Sequence, residues 1–392
     1  MRQLTLGALT MVMLLAGCAT QNQYTQVAPP AVAGQPSLPA IEVFNDRPSV
    51  VMRQQCKAFD QQSVLHHCQL NRINAQDVQR ALFKSEQFAP NEDTRFTPDY
   101  TLQLATAKYL QEDMEGFGNA LVSGLSLMLI PLHQTFTLKA EATLRWRGQL
   151  LDTFEVEAPF TQSVNLANQQ LDLHAQMAEA IGAALLTELQ TRALFTPEFL
   201  AQQIKASDYQ RDLVVPEQVG NYQLEQRLWL QHPLQGSYLT FVDKDFQFDQ
   251  FNLSVYPIRR ADWHDTYAAL DMEAVNLQTD MTQTAKEYNA ALNFQPRAQL
   301  TWPTDNGSLL VMQLAAKHHS DEGEPLNTRI FLFVKEDKVV VASSTLAGEN
   351  PPLEAFEMAA QQLARELVVP VESPFMAALR QEWRDKSIDQ GN

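Results

Sequence analysis

Behind a short basic start, Met1-Arg2-Gln3, a run of small and apolar residues extends from Leu4 to Leu15 and ends in Ala16-Gly17-Cys18. A helix needs about 20 apolar residues to cross a bilayer, and this run is too short for that. A charged start, a short apolar middle and small residues at the end are the pattern of a secretory signal, which is removed from the mature chain. This imposes two constraints. Residues 1–17 add nothing to a folded core. The remainder has to fold in an oxidising compartment, where cysteines pair.

The end of that segment, Leu15-Ala16-Gly17-Cys18, resembles the lipobox of bacterial lipoproteins. The resemblance implies a diacylglyceryl group on the Cys18 thiol, cleavage just before Cys18, and acylation of the new amino terminus. One acyl chain binds a membrane only marginally, at about 0.8 kcal/mol per buried CH₂, and several hold firmly. In that family an Asp after the cysteine retains the protein at the inner membrane. Ala19 therefore implies the outer membrane, with the chain facing the periplasm and the bilayer as its first partner.

Residues 18–40 form the lipidated cysteine and a tether. Gln, Thr, Ala, Ser and Pro29, Pro30, Pro36 and Pro39 fill it, without charge or apolar period, so it is expected to stay extended. Beyond Cys18 only Cys56 and Cys68 remain, and in an exported chain they are expected to pair. His66 and His67 lie between them and leave a metal site as the alternative. However, Cys-x9-His-His-Cys matches no common zinc spacing.

The formal charge is −17. Phosphate backbones would be repelled, so no nucleic acid is expected as a partner. Apolar residues make up 45% of the chain, enough for a real core.

Alternation and helical periods divide that core into two modules. In residues 41–206, Ile41–Phe44, Tyr100–Leu104 and Phe136–Trp146 read as strands, and Arg147-Gly148-Gln149 turns the chain into a partner, Leu150–Glu157. Asn74 caps a helix to about Phe88. Leu173, Met177, Ile181, Ala184 and Leu185 stripe another to about Ala193, and Thr196-Pro197 opens a third. Residues 207–220, with Pro216 and Gly220, read as a linker. In residues 221–370, strands are expected at Tyr222–Leu230, Tyr238–Val242 and Phe246–Tyr256, the last with a bulge near Asp249-Gln250.

Met281, Ala285, Tyr288 and Leu292 then mark a helix. Further strands are expected at Ala298–Trp302, Leu309–Ala315, Arg329–Val334 and Val339–Ser343, with Glu336-Asp337 as a hairpin tip. Leu353 to Leu367 closes the module as a helix, and residues 371–392 form a short terminal helix and tail. The expected class is α+β: two modules of mostly antiparallel sheet with packed helices.

Short catalytic signatures are missing from the sequence. There is no Gly-x-Gly-x-x-Gly, phosphate loop or His-Glu-x-x-His, and Gly124-Leu125-Ser126-Leu127-Met128 lacks the last glycine of a nucleophile elbow. His318-His319-Ser320-Asp321-Glu322-Gly323-Glu324 carries metal-ligand types but reads as a solvated hairpin loop between strands. Asp262-Trp263-His264-Asp265 carries an acid and an imidazole but reads as a loop with one aromatic plugged into the core. No cofactor, metal or catalytic residue is assigned.

Phe117 to Leu132 is the most apolar part of the mature chain, with Leu121, Leu125, Met128 and Leu132 on one helical face. It is read as a buried element or a docking surface. Its Leu-x-Leu-x-Leu-Ile-Pro pattern is similar to segments in small envelope lipoproteins. Asn252 to Pro257, with Trp263 shortly after, resembles strand endings of a widespread periplasmic α+β module. The expected role is non-catalytic: an accessory or binding protein in cell-envelope assembly or maintenance, with an envelope protein as partner. A periplasmic hydrolase with a dispersed site and a carrier of an apolar ligand stay open as alternatives.

Overall fold

The computed structural model describes residues 38–90, 98–111, 132–164, 173–287, 291–304, 307–319, 323–349, 351 and 353–390. The chain divides into two compact units, residues 1–192 and 193–392. Both are sheets with packed helices, the mixed α+β class expected from the sequence.

The first unit is built on β3 (Tyr100–Gln111), β4 (Leu132–Trp146) and β5 (Gln149–Val164), which run antiparallel. Along β4, Phe136, Leu138, Ala140, Ala142, Leu144 and Trp146 are buried, while the residues between them are less covered. That is the period of two written in the sequence. The β4–β5 turn places Arg147 and Gly148 at φ +44° and +82°, the pair of left-handed residues that a two-residue hairpin needs. The other edge of β3 carries two short strands: β1 (Ile41–Asn45), parallel, and β2 (His66–Leu70), antiparallel.

Among the described residues, three helices complete this unit. In α1 (Val50–Asp60), Ser49 accepts from the Met52 N–H and is itself held by the Glu141 carboxylate on β4. Met52 packs on β3, and the buried Cys56 is bonded to Cys68 of β2, with the Cα atoms 5.3 Å apart. Asn74 caps α2 (Ala75–Phe83) as expected, but the helix ends five residues earlier than the sequence suggests. Met177, Ile181, Leu185 and Leu189 of α3 (Leu173–Thr191) are buried in the stripe their spacing implies.

The second unit begins before the expected linker. α4 (Pro197–Ile204) starts at Thr196-Pro197, with the Thr196 hydroxyl accepting from the Phe199 N–H. The helical turn α5 (Tyr209–Asp212) comes next. Residues 207–220, read as a linker, send Tyr209, Leu213, Val215 and Val219 into the core of this unit. Four apolar anchors spaced without a helical or strand period gave no sequence signal.

A nine-stranded sheet spans the unit. It comprises β6 (Gln218–Val219), β7 (Tyr222–Trp229), β8 (Ser237–Asp243), β9 (Gln250–Pro257), β10 (Asn293–Phe294), β11 (Ala298–Thr304), β12 (Gly307–His319), β13 (Pro325–Lys335) and β14 (Lys338–Ala347). The order is β10-β12-β13-β14-β9-β8-β7-β6, with β11 also on β12. On one face Phe241, Phe251, Phe331 and Phe333 pack against Phe356, Ala360 and Leu363 of α7 (Leu353–Glu366). On the other, Met312, Leu314, Leu332 and Val341 pack against Ala269, Leu270 and Ala274 of α6 (Thr266–Glu287). Residues 330–333 of β13 are buried on both faces, as a central strand requires.

The expected bulge near Asp249-Gln250 is not where the strands shift. Residues 244–249 form a turn, and the register irregularity lies between Leu224 and Gln226 against β8. The terminal helix, α8 (Pro374–Gln390), is longer than expected, and it buries Met376, Leu379 and Arg380.

Two outcomes test this packing. Labelling of free thiols in the denatured, unreduced protein is expected to find neither Cys56 nor Cys68. Replacing both with Ser is expected to lower the stability of the first unit by about 3 kcal/mol, read from its denaturant midpoint. In the second unit, Gly236 sits at φ +73°, and a Cβ there would overlap the Val255 carbonyl oxygen and lie 2.9 Å from the Tyr256 Cα. Gly236→Ala is expected to cost at least about 2 kcal/mol by the same measurement.

Candidate functional site

The β13–β14 hairpin turns at Glu336-Asp337, and charge is buried directly behind the turn: Asp337 and Lys338 are 0% exposed and Arg380 of α8 only 1%. The Asp337 carboxylate pairs with the Lys338 ammonium and, at 2.9 Å, with the Arg380 guanidinium. Arg380 also pairs with Glu372 and donates to the Ile258 carbonyl at 2.7 Å. Lys338 donates to the Val371 carbonyl at 3.4 Å. Two cations thus meet two carboxylates and also reach backbone oxygens, the condition under which burial of charge is tolerated.

Burial pulls the Lys338 amine below its ordinary range, and Asp337 opposes that shift. Burial pushes the Tyr209 phenol well above its ordinary range, with the Asp337 charge adding to it. The Trp263 ring covers the guanidinium at 5.3 Å, so the aromatic expected to plug into the core shields this cluster.

The cluster fixes the wall of a cleft of about 580 Å³. One side is α4 and α5, with Glu198, Gln202, Ser207 and Arg211; the other is the segment 370–374. Lys338 and Arg380 hold that second side through Val371 and Glu372. The two sides are also joined directly, the Phe375 N–H donating to the Lys205 carbonyl at 3.2 Å. Lys205 lies in the left-handed region, φ +57°, where the chain leaves α4. Asp208 accepts from the Arg211 N–H, and Arg211 forks onto Asp212 at 2.8 and 2.9 Å. The Ser207 hydroxyl is buried without a hydrogen-bond partner among the described residues. These polar and charged groups share the lining with a larger apolar area, which suits recognition of a mixed surface. Among the described residues, no group of three or more His, Cys, Asp or Glu side chains is placed to hold a metal ion.

The residues singled out from the sequence fall elsewhere. Cys18, Leu121, Leu125 and Met128 lie outside the described residues. Leu132, expected on a helical face, is the first residue of β4 and pairs with Val164. Cys56 and Cys68 are together. His66 and His67 lie on β2, where the His66 ring stacks on Phe59 at 4.6 Å. His318 and His319 end β12 rather than standing in a loop, and burial lowers the His318 pKa, with the neighbouring His319 adding to that. Asp262 pairs with Arg260 at 2.9 Å, which holds its carboxyl below the usual range, and the His264 ring lies against Trp263. Sequence reasoning missed Asp337, Lys338, Glu372 and Arg380. The one available signal was Lys338 at the head of an otherwise apolar run, Val339-Val340-Val341.

No family model matches the chain, and neither does any curated protein. Solved structures give partial likenesses. A protein of unknown function from Pseudomonas aeruginosa, PA94, described as a putative regulator, is 18% identical over 34% of this chain and 74% of its own, with a TM-score of 0.20. The cyanobacterial PsbP protein, CyanoP, of Synechocystis sp. PCC 6803 is 9% identical over 40% of this chain and 92% of its own, TM-score 0.26. A Bacteroides thetaiotaomicron protein is 10% identical over 40% and 42%, TM-score 0.20. Likenesses this low assign no activity.

Removing Asp337 leaves the buried Lys338 without its carboxylate and Arg380 with Glu372 alone. Asp337→Ala is expected to cost about 3–5 kcal/mol, read from the denaturant midpoint of the second unit. A cost below about 1 kcal/mol would show that water reaches these charges.

Proposed function

We propose that this chain is a lipoprotein of the outer membrane, anchored through Cys18 and facing the periplasm, and that it binds an envelope partner without transforming it. Leu15-Ala16-Gly17-Cys18 supports the anchor. The Cys56–Cys68 pairing supports an oxidising compartment. The observation that carries the binding role is the cleft between α4–α5 and residues 370–374, whose second side is held by the buried cluster and whose lining sets charged side chains beside a larger apolar area. A cleft with one side fixed in advance loses less entropy on binding, and a lining that mixes charge with apolar area matches the mixed make-up of protein surfaces.

Two measurements test this. Cys18→Ala is expected to leave an uncleaved or soluble precursor without acyl label, while the natural chain stays with outer-membrane fractions through a high-salt wash. Release by salt alone would overturn the anchor. A photo-reactive amino acid in place of Gln202, on the cleft rim, is expected to give a discrete protein adduct in intact envelopes. Loss of that adduct in Asp337→Ala, under conditions where the chain stays folded, would tie it to the cleft. Absence of any adduct would overturn the binding role.

A further inference from the structure

The turn between β8 and β9 exposes two aromatic rings, Phe246 at 67% and Phe248 at 98%. The turn is nonetheless tightly built. Asp243, itself buried, accepts on one oxygen from the Asp245 N–H (2.9 Å), the Phe246 N–H (3.1 Å) and the Asn221 amide (2.9 Å). Asn221 also donates to Asp245 at 3.0 Å, and its carbonyl accepts from the Lys244 N–H at 3.1 Å. The Asp249 N–H closes the turn on the Phe246 carbonyl at 2.8 Å. The Lys244 side chain, the turn's one cation, donates to Gln218 at 2.5 Å.

Exposed rings on a fixed turn are poised as anchors, since much of the ordering cost of binding is already met. The position is also separate from the cleft. On the ladder between β9 and β14, Pro257 faces Lys338 and Phe251 faces Ser344. Six residues of strand, about 20 Å, therefore divide the turn from the buried cluster.

We infer that Phe246 and Phe248 form a second docking surface, for a protein partner carrying an apolar pocket rimmed by Lys or Arg. Charge selects the partner. Asp245 and Asp249 flank the rings, on a chain of formal charge −17. Insertion into an anionic bilayer would press these carboxylates against like charge. A symmetric contact with a second copy would set each Asp against the same acidic turn. A basic rim around an apolar pocket answers both features.

The test uses the full-length chain in isolated envelopes, with benzoylphenylalanine in place of Phe248 and, as an equally exposed control, in place of Val64. Illumination is expected to give a discrete protein adduct from position 248 that is absent from position 64. Sequencing of the linked peptide should place it in an apolar pocket beside Lys or Arg. Asp245→Lys and Asp249→Lys, each checked for an unchanged denaturation midpoint, are expected to lower the yield about fivefold or more. Raising salt from about 0.05 M to 0.5 M should lower it as well, and that reading needs no charge variant to fold. A lipid adduct, an adduct of twice the chain's mass, a yield indifferent to both charge and salt, or no adduct beyond the control would each overturn the inference. Position 202 reports separately on the cleft, so failure at one surface is distinguishable from failure at the other.

Discussion

Arg380 is the point on which the second unit closes. Its guanidinium reaches three segments far apart in sequence: the exit of β9 at Ile258, the hairpin at Asp337, and the approach to α8 at Glu372. Without it the Ile258 carbonyl would lose this donor and the buried Asp337 carboxylate would keep only Lys338. Withdrawing the charges of Asp337, Lys338 and Arg380 from water is expensive, and mutual attraction offsets it only where geometry and hydrogen bonding are complete. Here nearly every group has a partner, and α8 is thereby fixed on the sheet in one orientation. An apolar substitute would give the helix adhesion without that choice of place. The cleft wall at 370–374 inherits its position from the same cluster, so the candidate site depends on an interaction that touches no ligand.

The sheets were largely legible because burial on one face leaves a period of two. Phe136 to Trp146 could be read residue by residue, and so could the hairpin at Arg147-Gly148. Helices with one apolar stripe, α3 and α7, were legible for the corresponding reason. What escaped has mixed or local causes. α1 is polar over most of its surface and depends on a cap, a disulfide and a carboxylate on another strand. β2 is five residues long, and its alternation is only between partly covered and exposed positions, too short and too polar in His-His-Cys-Gln-Leu to stand out. The first turns of α6 were missed because Ala269, Leu270 and Ala274 bury against β12–β14 while Tyr267 and Val275 stay exposed, which blurs the stripe.

The candidate sites were less legible than the fold. Cysteine counting was enough for Cys56 and Cys68, because beyond Cys18 the sequence holds only these two. Glu336-Asp337-Lys338 reads as a solvated hairpin tip, and only α8, some 40 residues later, converts it into interior. Sequence spacing holds no record of that closure. Phe246 and Phe248 were absorbed into a strand because they alternate in phase, Phe-Gln-Phe. The shift near Asp249-Gln250 marks the end of a turn rather than a bulge, and the pattern that suggests burial belongs to residues that are outside.

The two surfaces of the second unit use opposite physics, and this bears on the role proposed for the chain. The cleft is recessed and dependent on buried charge, so a partner entering it would be selected by hydrogen-bond geometry as well as by apolar contact. The aromatic turn is apolar and projecting, and its acids restrict what may approach. Opposite ends of one sheet present them, and the sheet is stiffened by aromatic packing on the α7 face, Phe241 on Phe251 and Phe251 on Phe356. A stiff separator of that kind lets two partners be held at a fixed distance without contact between them. In the proposed envelope role, a lipid on Cys18 would confine this separator to the membrane surface. Encounter with either partner would then gain from effective concentration rather than from added contacts.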